Sequence, residues 1–180
     1  MSDATRHATR DGIPRIGSGI DVHAFGAPAD GAHVTLAGVA VPSHAPLEGH
    51  SDADVVAHAV IDALLGAAGR GDIGERFGVD DPAQRGADSM RMLAEVVTDL
   101  RAAGREVGNV DVTVVAARPR VAPHRAAMRE RLATVLGVPV DAVAVKATTT
   151  DGLGSIGRGE GIAAWTVTVL RSTVAGGSGD

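Results

Sequence analysis

Ser51-Asp-Ala-Asp-Val-Val-Ala-His-Ala-Val-Ile-Asp-Ala-Leu-Leu-Gly66 is where the apolar period of the chain changes. Val55, Val56, Ala59, Val60, Ala63 and Leu64 recur at helical spacing. Ser51 is placed to cap this helix, with Asp54 three residues on as its capping-box partner, and Gly66 to Gly71 closes it. Upstream the reading is extended: Arg15–His23 predicts a strand, and Val34–Val41 a second with Gly38 as a bulge or bend. Downstream, a helix from Asp88 or Ser89 carries Leu93, Val96, Val97 and Leu100 on one stripe and stops at Gly104. Val110, Val112 and Val114 alternate with polar residues, as in a strand with one wet face. Pro123 opens a helix reaching about Leu136, with Gly137 behind it. Ala142–Thr148 and Ile162–Leu170 are two further strands. Strands and helices do not alternate strictly, so the expected class is α+β, a mixed sheet with helices packed on one face.

The 180 residues suit one domain, expected over 15–172, with loose tails at 1–14 and 173–180. Phe25, Phe77 and Trp165 are the only aromatics, so Val, Leu, Ile and Ala must build the core. A net charge of -5 argues against a nucleic-acid binder. The absence of Cys excludes disulfides, thiolate metal sites and a Cys nucleophile. No run is long and apolar enough for a membrane span, and the first residues lack a signal-peptide core, so a soluble cytoplasmic protein is expected.

Chemistry concentrates in three places. Asp21 and His23 alternate on a strand, so a carboxylate and an imidazole project from one face. Asp54, His58 and Asp62 form one row along the first helix, at i, i+4 and i+8, and such a row is either solvated or aimed into a site. His58 can serve as a third metal ligand, with Asp54 or Asp62 holding its other ring nitrogen. Two His and one Asp leave an open coordination position, which suits catalytic zinc and equally non-haem Fe(II). The third place is Asp151–Gly161, with Thr148, Thr149 and Thr150 leading into it. Its G-x-G-x-x-G match precedes a strand rather than a helix, which rules out the dinucleotide fingerprint. The loop is either a phosphate cradle with Arg158 or simply a tight turn.

Arg15-Ile-Gly-Ser-Gly-Ile-Asp-Val-His-Ala-Phe25, His50-Ser-Asp-Ala-Asp54, Asp62-Ala-Leu-Leu-Gly66, Gly71-Asp-Ile-Gly74, Lys146-Ala-Thr-Thr-Thr150 and Gly157-Arg-Gly-Glu-Gly161, in this order, resemble the 2-C-methyl-D-erythritol 2,4-cyclodiphosphate synthase family. The resemblance runs from about Arg15 to Leu170. It implies a homotrimer with active sites between subunits. It implies cyclisation of 4-diphosphocytidyl-2-C-methyl-D-erythritol 2-phosphate with release of CMP, in the non-mevalonate isoprenoid pathway. Asp21, His23 and His58 would hold Zn²⁺, and a second divalent cation, Mg²⁺ or Mn²⁺, would bridge the diphosphate, with Asp151 where a Glu commonly supplies its carboxylate. His50 and Thr149 would assist the transition state. Val22, His50, Ser51, Asp72, Ile73 and Gly74 would contact the erythritol phosphate, with Phe77, Asp80 and Asp81 in an adjoining loop. Ala116 to Ala122, including Arg120 where Lys is common, and Ala147 to Thr150 would hold cytidine. Ser155 stands where Phe is frequent, and Arg158 lies close by. Ile20, Arg158 and Glu160 match positions lining a cavity on the trimer axis, which either takes an isoprenoid diphosphate or is closed by an Arg–Glu ring. Competing readings are a metal-dependent phosphohydrolase, an isoprenoid-diphosphate binding protein, and a 2-His-1-carboxylate iron oxygenase.

Overall fold

The computed structural model describes residues 13–49, 51–78 and 86–173. Most of both expected tails, and His50, Asp80 and Asp81, lie outside these. The elements run β1 (Arg15–Ala24), β2 (His33–Leu36), β3 (Val39–Pro42), α1 (Val55–Ala68), α2 (Ile73–Phe77), α3 (Ser89–Ala102), β4 (Arg105–Val115), α4 (Arg125–Leu136), β5 (Val143–Thr148), α5 (Gly154–Gly157) and β6 (Gly161–Ser172). A turn of 3₁₀ helix, Ala122–His124, leads into α4.

Four strands form one mixed sheet in the order β1-β6-β4-β5. β6 is antiparallel to both β1 and β4, whereas β4 and β5 run parallel. β1, β4 and β5 therefore all point the same way, and their C-terminal ends share one end of the sheet. Ligand sites favour such an end, because the loops leaving parallel strands gather there.

Alternation sorts the residues of β1. Gly17 and Gly19 face inward and are buried, while Ile16, Ser18 and Ile20 face out. The glycines matter because α1 lies directly on them: a Cβ on Gly19 would run into the backbone of Ala59 and Ala63, and one on Gly17 into Ala63 and Ala67. α1 is buried nearly all round, between the sheet and α3, so it is apolar all round. Its Val60, Ile61 and Leu64 join Leu93 and Leu100 of α3, Val112 of β4, Leu132 of α4 and Leu170 of β6 in one core. The expected α+β arrangement, helices on one face of a mixed sheet, is the one observed.

Two expectations need correction. Val34–Val41 is not one strand but the hairpin β2–β3. Ala37 and Gly38 both take positive φ, +53° and +69°, which makes a tight two-residue reversal rather than a bulge. The cap of α1 is Asp54, not Ser51. Ala53, at φ +54°, turns the chain immediately before Asp54, so residues 51–53 cannot continue the helix. The short helices α2 and α5 span less than two turns and give no readable period.

Candidate metal centre

The site begins with the strand. Beyond the glycines, Asp21 and His23 continue the inward face of β1, at its C-terminal end. Because α1 rests so closely on Gly17 and Gly19, His58, one turn into α1, reaches the same spot; it is only 9% exposed. His23 Nε2 lies 2.9 Å from Asp21 Oδ2. His58 Nδ1 lies 3.0 Å from the same oxygen, and the two ring nitrogens are 3.3 Å apart.

Hydrogen bonding on the far side of each ring decides what converges. His23 Nδ1 is 2.5 Å from the Glu48 carbonyl oxygen. A carbonyl only accepts, so Nδ1 carries a proton, and when the ring is neutral Nε2 is bare. His58 Nε2 is 2.8 Å from Ser89 Oγ and 3.1 Å from Ser51 Oγ, while its Nδ1 faces the carboxylate. With both rings neutral, three ligand atoms thus offer lone pairs to one point. Ligands about 2.0–2.1 Å from a tetrahedral ion stand roughly 3.3 Å apart, close to the separations seen. Asp21, His23 and His58 fit a divalent metal, one ligand short of a closed tetrahedral shell. In the metal-free protein, burial pushes the Asp21 carboxyl up. Hydrogen bonds and charge attraction from His23 and His58 outweigh that and hold it well below the usual carboxylate range. The hydrogen bond to Asp21 raises the His23 imidazole, against the effect of burial.

The other two members of the helix row do different work, which corrects their expected part in holding His58. Asp54 is fully buried and accepts from Val56 and Ala57 at the start of α1. It also accepts from Ala37 at 2.8 Å and Gly38 at 2.6 Å in the β2–β3 turn. Burial pushes its carboxyl up to about 6 against the hydrogen bonds from Ala57, Gly38 and Ala37. Asp62 accepts from the Ile73 backbone N–H at 2.8 Å and so ties the start of α2 to α1. Burial raises its carboxyl as well, partly offset by that bond. The groups that do hold His58 are Ser51, expected as a helix cap, and Ser89, expected only as a helix start.

The remaining predicted positions fall into groups. Val22 turns its side chain to the outer face of the sheet, 57% exposed, leaving its backbone beside Asp21 and His23. Asp72 caps α2 through the Glu75 N–H, with Ile73 and Gly74 following. Phe77 packs against the core. The loops that follow β4 and β5 leave adjacent strand ends. The Ala116 N–H extends the ladder to the Thr148 carbonyl at 3.0 Å, so Ala116 neighbours Thr148, while Arg120 follows in the loop after β4 and Ala122 opens the 3₁₀ turn. Thr149 Oγ1 donates to Asp151 Oδ1 at 3.0 Å, and Asp151 sits at φ +51°. Ser155 lies in α5 and is exposed. Arg158 pairs with Glu160 at 2.6 Å, both solvent-facing.

The YgbB family model matches residues 14–171, which takes in nearly the whole fold and the three converging ligands. The chain belongs to the YgbB family. Among similar proteins, the 2-C-methyl-D-erythritol 2,4-cyclodiphosphate synthase of Gemmatimonas aurantiaca is 55% identical over 148 residues, 82% of this chain and 87% of that protein. The bifunctional enzyme IspD/IspF of Hyphomonas neptunium is 55% identical over 159 residues, 88% of this chain. The chain spans only 41% of that relative's length. Among solved structures, the CDP complex of IspF from Plasmodium falciparum has a TM-score of 0.78 at 30% identity, covering 90% of this chain and 97% of that one. The bifunctional IspDF of Campylobacter jejuni has a TM-score of 0.84 at 39% identity, covering 89% of this chain and 43% of that one. Within this YgbB chain, the residues that sequence reasoning misses are Ser89 and Asp52, which Ser89 contacts. Ser89 is fully buried yet directly follows an Asp N-cap, so its sequence signal is that of an ordinary helix start.

Proposed function

We propose that this chain is a 2-C-methyl-D-erythritol 2,4-cyclodiphosphate synthase, a phosphorus–oxygen lyase that closes 4-diphosphocytidyl-2-C-methyl-D-erythritol 2-phosphate on itself and releases CMP. The observation that carries the reading is the convergence of Asp21 Oδ2, His23 Nε2 and His58 Nδ1 at one end of the sheet. Zn²⁺ is the ion that suits two imidazoles and one carboxylate with an open position, and it supplies a Lewis acid for a phosphoryl oxygen. A second cation, Mg²⁺ or Mn²⁺, belongs with the diphosphate, with Asp151 as its protein carboxylate.

The protein's own part is positioning. The attacking oxygen is already an anionic phosphate of the substrate. It bonds to the β-phosphorus as the bond to the departing CMP oxygen breaks, and no side chain need take up a proton. What the chain must do is fold a flexible substrate so that the two phosphoryl groups meet in line. The Ser51 hydroxyl, released from helix capping, stands beside His58 and is available to the erythritol phosphate. Asp72, Ile73 and Gly74, with Phe77, Asp80 and Asp81, serve the same part of the substrate, and His50 and Thr149 contact the transferring group. The backbone of 116–122 and 147–150, with Arg120, reads cytidine, in keeping with the cytidine nucleotide bound by the Plasmodium falciparum relative. Ser155 and Arg158 border this region.

We also assign a homotrimer. Ile16, Ile20, Val22, Trp165 and Val167 leave an apolar strip open on the outer face of the sheet, and contiguous exposed apolar surface of this kind marks a contact face. Burying that strip around a three-fold axis would bring Ile20, Arg158 and Glu160 to the centre, where an isoprenoid diphosphate could sit. The proposed location is the cytoplasm. No helix among the described residues is long and apolar enough to cross a membrane.

Phosphorus NMR of the cytidyl substrate incubated with protein, zinc and magnesium tests the activity. The cyclic diphosphate is expected together with CMP. A linear bisphosphate in its place means that water was the attacker and favours the phosphohydrolase. Sedimentation equilibrium at about three times the chain mass supports the trimer, and a monomer overturns it.

A further inference from the structure

Behind His58, facing away from Asp21 and His23, lies a second polar chain. His58 Nε2 is 2.8 Å from Ser89 Oγ, and Ser89 is fully buried at the start of α3. The Ser89 hydroxyl donates in turn to Asp52 Oδ1 in a short hydrogen bond. Asp52 Oδ2 takes the Ser89 backbone N–H at 3.3 Å. Asp52 is itself held by its own N–H on the Ala87 carbonyl at 3.1 Å. Direction follows from donor inventory. A carboxylate accepts, so the Ser89 proton is committed to Asp52. The lone pair left on Oγ, at 2.8 Å nearer than the Ser51 Oγ at 3.1 Å, then accepts from His58 Nε2–H. With the proton fixed on Nε2, Nδ1 is bare and faces Asp21.

We propose that Asp52 and Ser89 are positioning residues for His58: they fix its tautomer and ring orientation so that Nδ1 is presented as a metal ligand. The inference rests on the metal reading above, since the relay matters only if Nδ1 binds a cation. It differs from that reading in placing the second contact of the ligand on residues 31 and 6 positions away, on α3 and the pre-helix turn, rather than on the carboxylates of the same helix row. Outer partners of this kind change metal affinity about 10–100-fold when removed.

Two variants separate direction from mere packing. Ser89→Ala deletes the relay. Asp52→Asn keeps its shape but can turn the amide N–H₂ toward Ser89, so that the hydroxyl donates to His58 Nε2 and the proton moves to Nδ1. The readouts are the zinc dissociation constant from chelator competition and the ¹⁵N shifts of the His58 ring in chelator-treated, full-length protein at pH 8. Wild type is expected to show the Nε2–H tautomer. Asp52→Asn should shift it toward Nδ1–H, and both variants should bind zinc about 10–100-fold more weakly. Ser89→Thr, which keeps the hydroxyl, should restore affinity to within about threefold, and Asp62→Asn, which does not touch His58, should leave it unchanged. The relay is overturned if the wild-type ring is Nδ1-protonated, or if both relay variants bind zinc as wild type does. If wild-type protein takes up no zinc, the metal reading fails, while the tautomer measurement still decides whether Asp52 and Ser89 set the ring.

Discussion

Two polar patterns meet at this centre, one on a strand and one on a helix, and they behave differently. Asp21 and His23 alternate along β1 and deliver both side chains to one point. Asp54, His58 and Asp62 stand on one row of α1, yet only His58 reaches that point. Asp54 looks back to cap its own helix and the β2–β3 turn, and Asp62 looks forward to α2. A strand with one face covered by a helix gives successive inward residues little choice of surroundings. A helix row, rising about 6 Å per four residues, passes three different neighbourhoods over about 12 Å. Residues sharing a row share a direction, not a partner.

The strand side of this comparison fails first if α1 cannot close on it. Gly19→Ala places a methyl against the backbone of Ala59 and Ala63. Backbone cannot step aside as a side-chain tip can, so about 4 kcal/mol of stability should be lost, above the usual range of about 1–3 kcal/mol for overpacking. Denaturant unfolding measures it. A loss under about 1 kcal/mol would mean that the close seat of α1 is not what joins His58 to the strand. On the helix side, Asp54→Ala strips four backbone N–H groups of their acceptor in the interior. The expected loss is about 3 kcal/mol. Asp62→Ala frees a single N–H, that of Ile73, at a partly open site. It should cost about 1 kcal/mol and leave zinc affinity unchanged. If Asp62→Ala weakened zinc tenfold instead, the row would act as one unit after all.

Much of this is legible in the order of the residues. The period change at Ser51, the stripe of α3 with Asp88 ahead of it, and the alternation of β4 all follow from local rules that tertiary contacts reinforce. The hairpin is not legible, because its turn is Ala37-Gly38 rather than an Asn-Gly or Asp-Gly pair. Ala at φ +53° is held there by Asp54, 17 residues away, which receives both turn N–H groups. The same carboxylate reads as part of a metal shell because spacing records a shared face and cannot see a distant turn. Ser51 misleads for a similar reason: its fate depends on the left-handed Ala53, which nothing in the composition marks. Asp52 and Ser89, 37 positions apart, become neighbours only when α3 docks on α1. The metal triad is legible because two of its members come from the pattern with least freedom.

The smallest effect is the one that distinguishes an empty centre from a filled one. In chelator-treated protein the hydrogen bond to Asp21 raises His23 above the 6.5 of a free imidazole. A raised folded-state value means that the native state holds the proton more tightly than the unfolded chain. That stabilisation is fully present below pH 6.5 and is lost as pH rises through the higher folded value. Asp21 works at the other end. Its depressed carboxyl contributes stability above its ordinary value near 3.8, lost as pH falls toward the folded one. Metal-free protein should therefore show its benefit from this pair between about pH 4 and 6.5, and His23→Ala should flatten that part of the Tm–pH curve. Zinc reverses the slope on the neutral side, because a bound ion needs the same bare Nε2 that the proton occupies. With saturating zinc, Tm should climb from about pH 6 to 8 where the metal-free Tm falls. Parallel curves with and without the ion would mean that His23 presents no lone pair to it, and the strand would then hold its pair for structure alone.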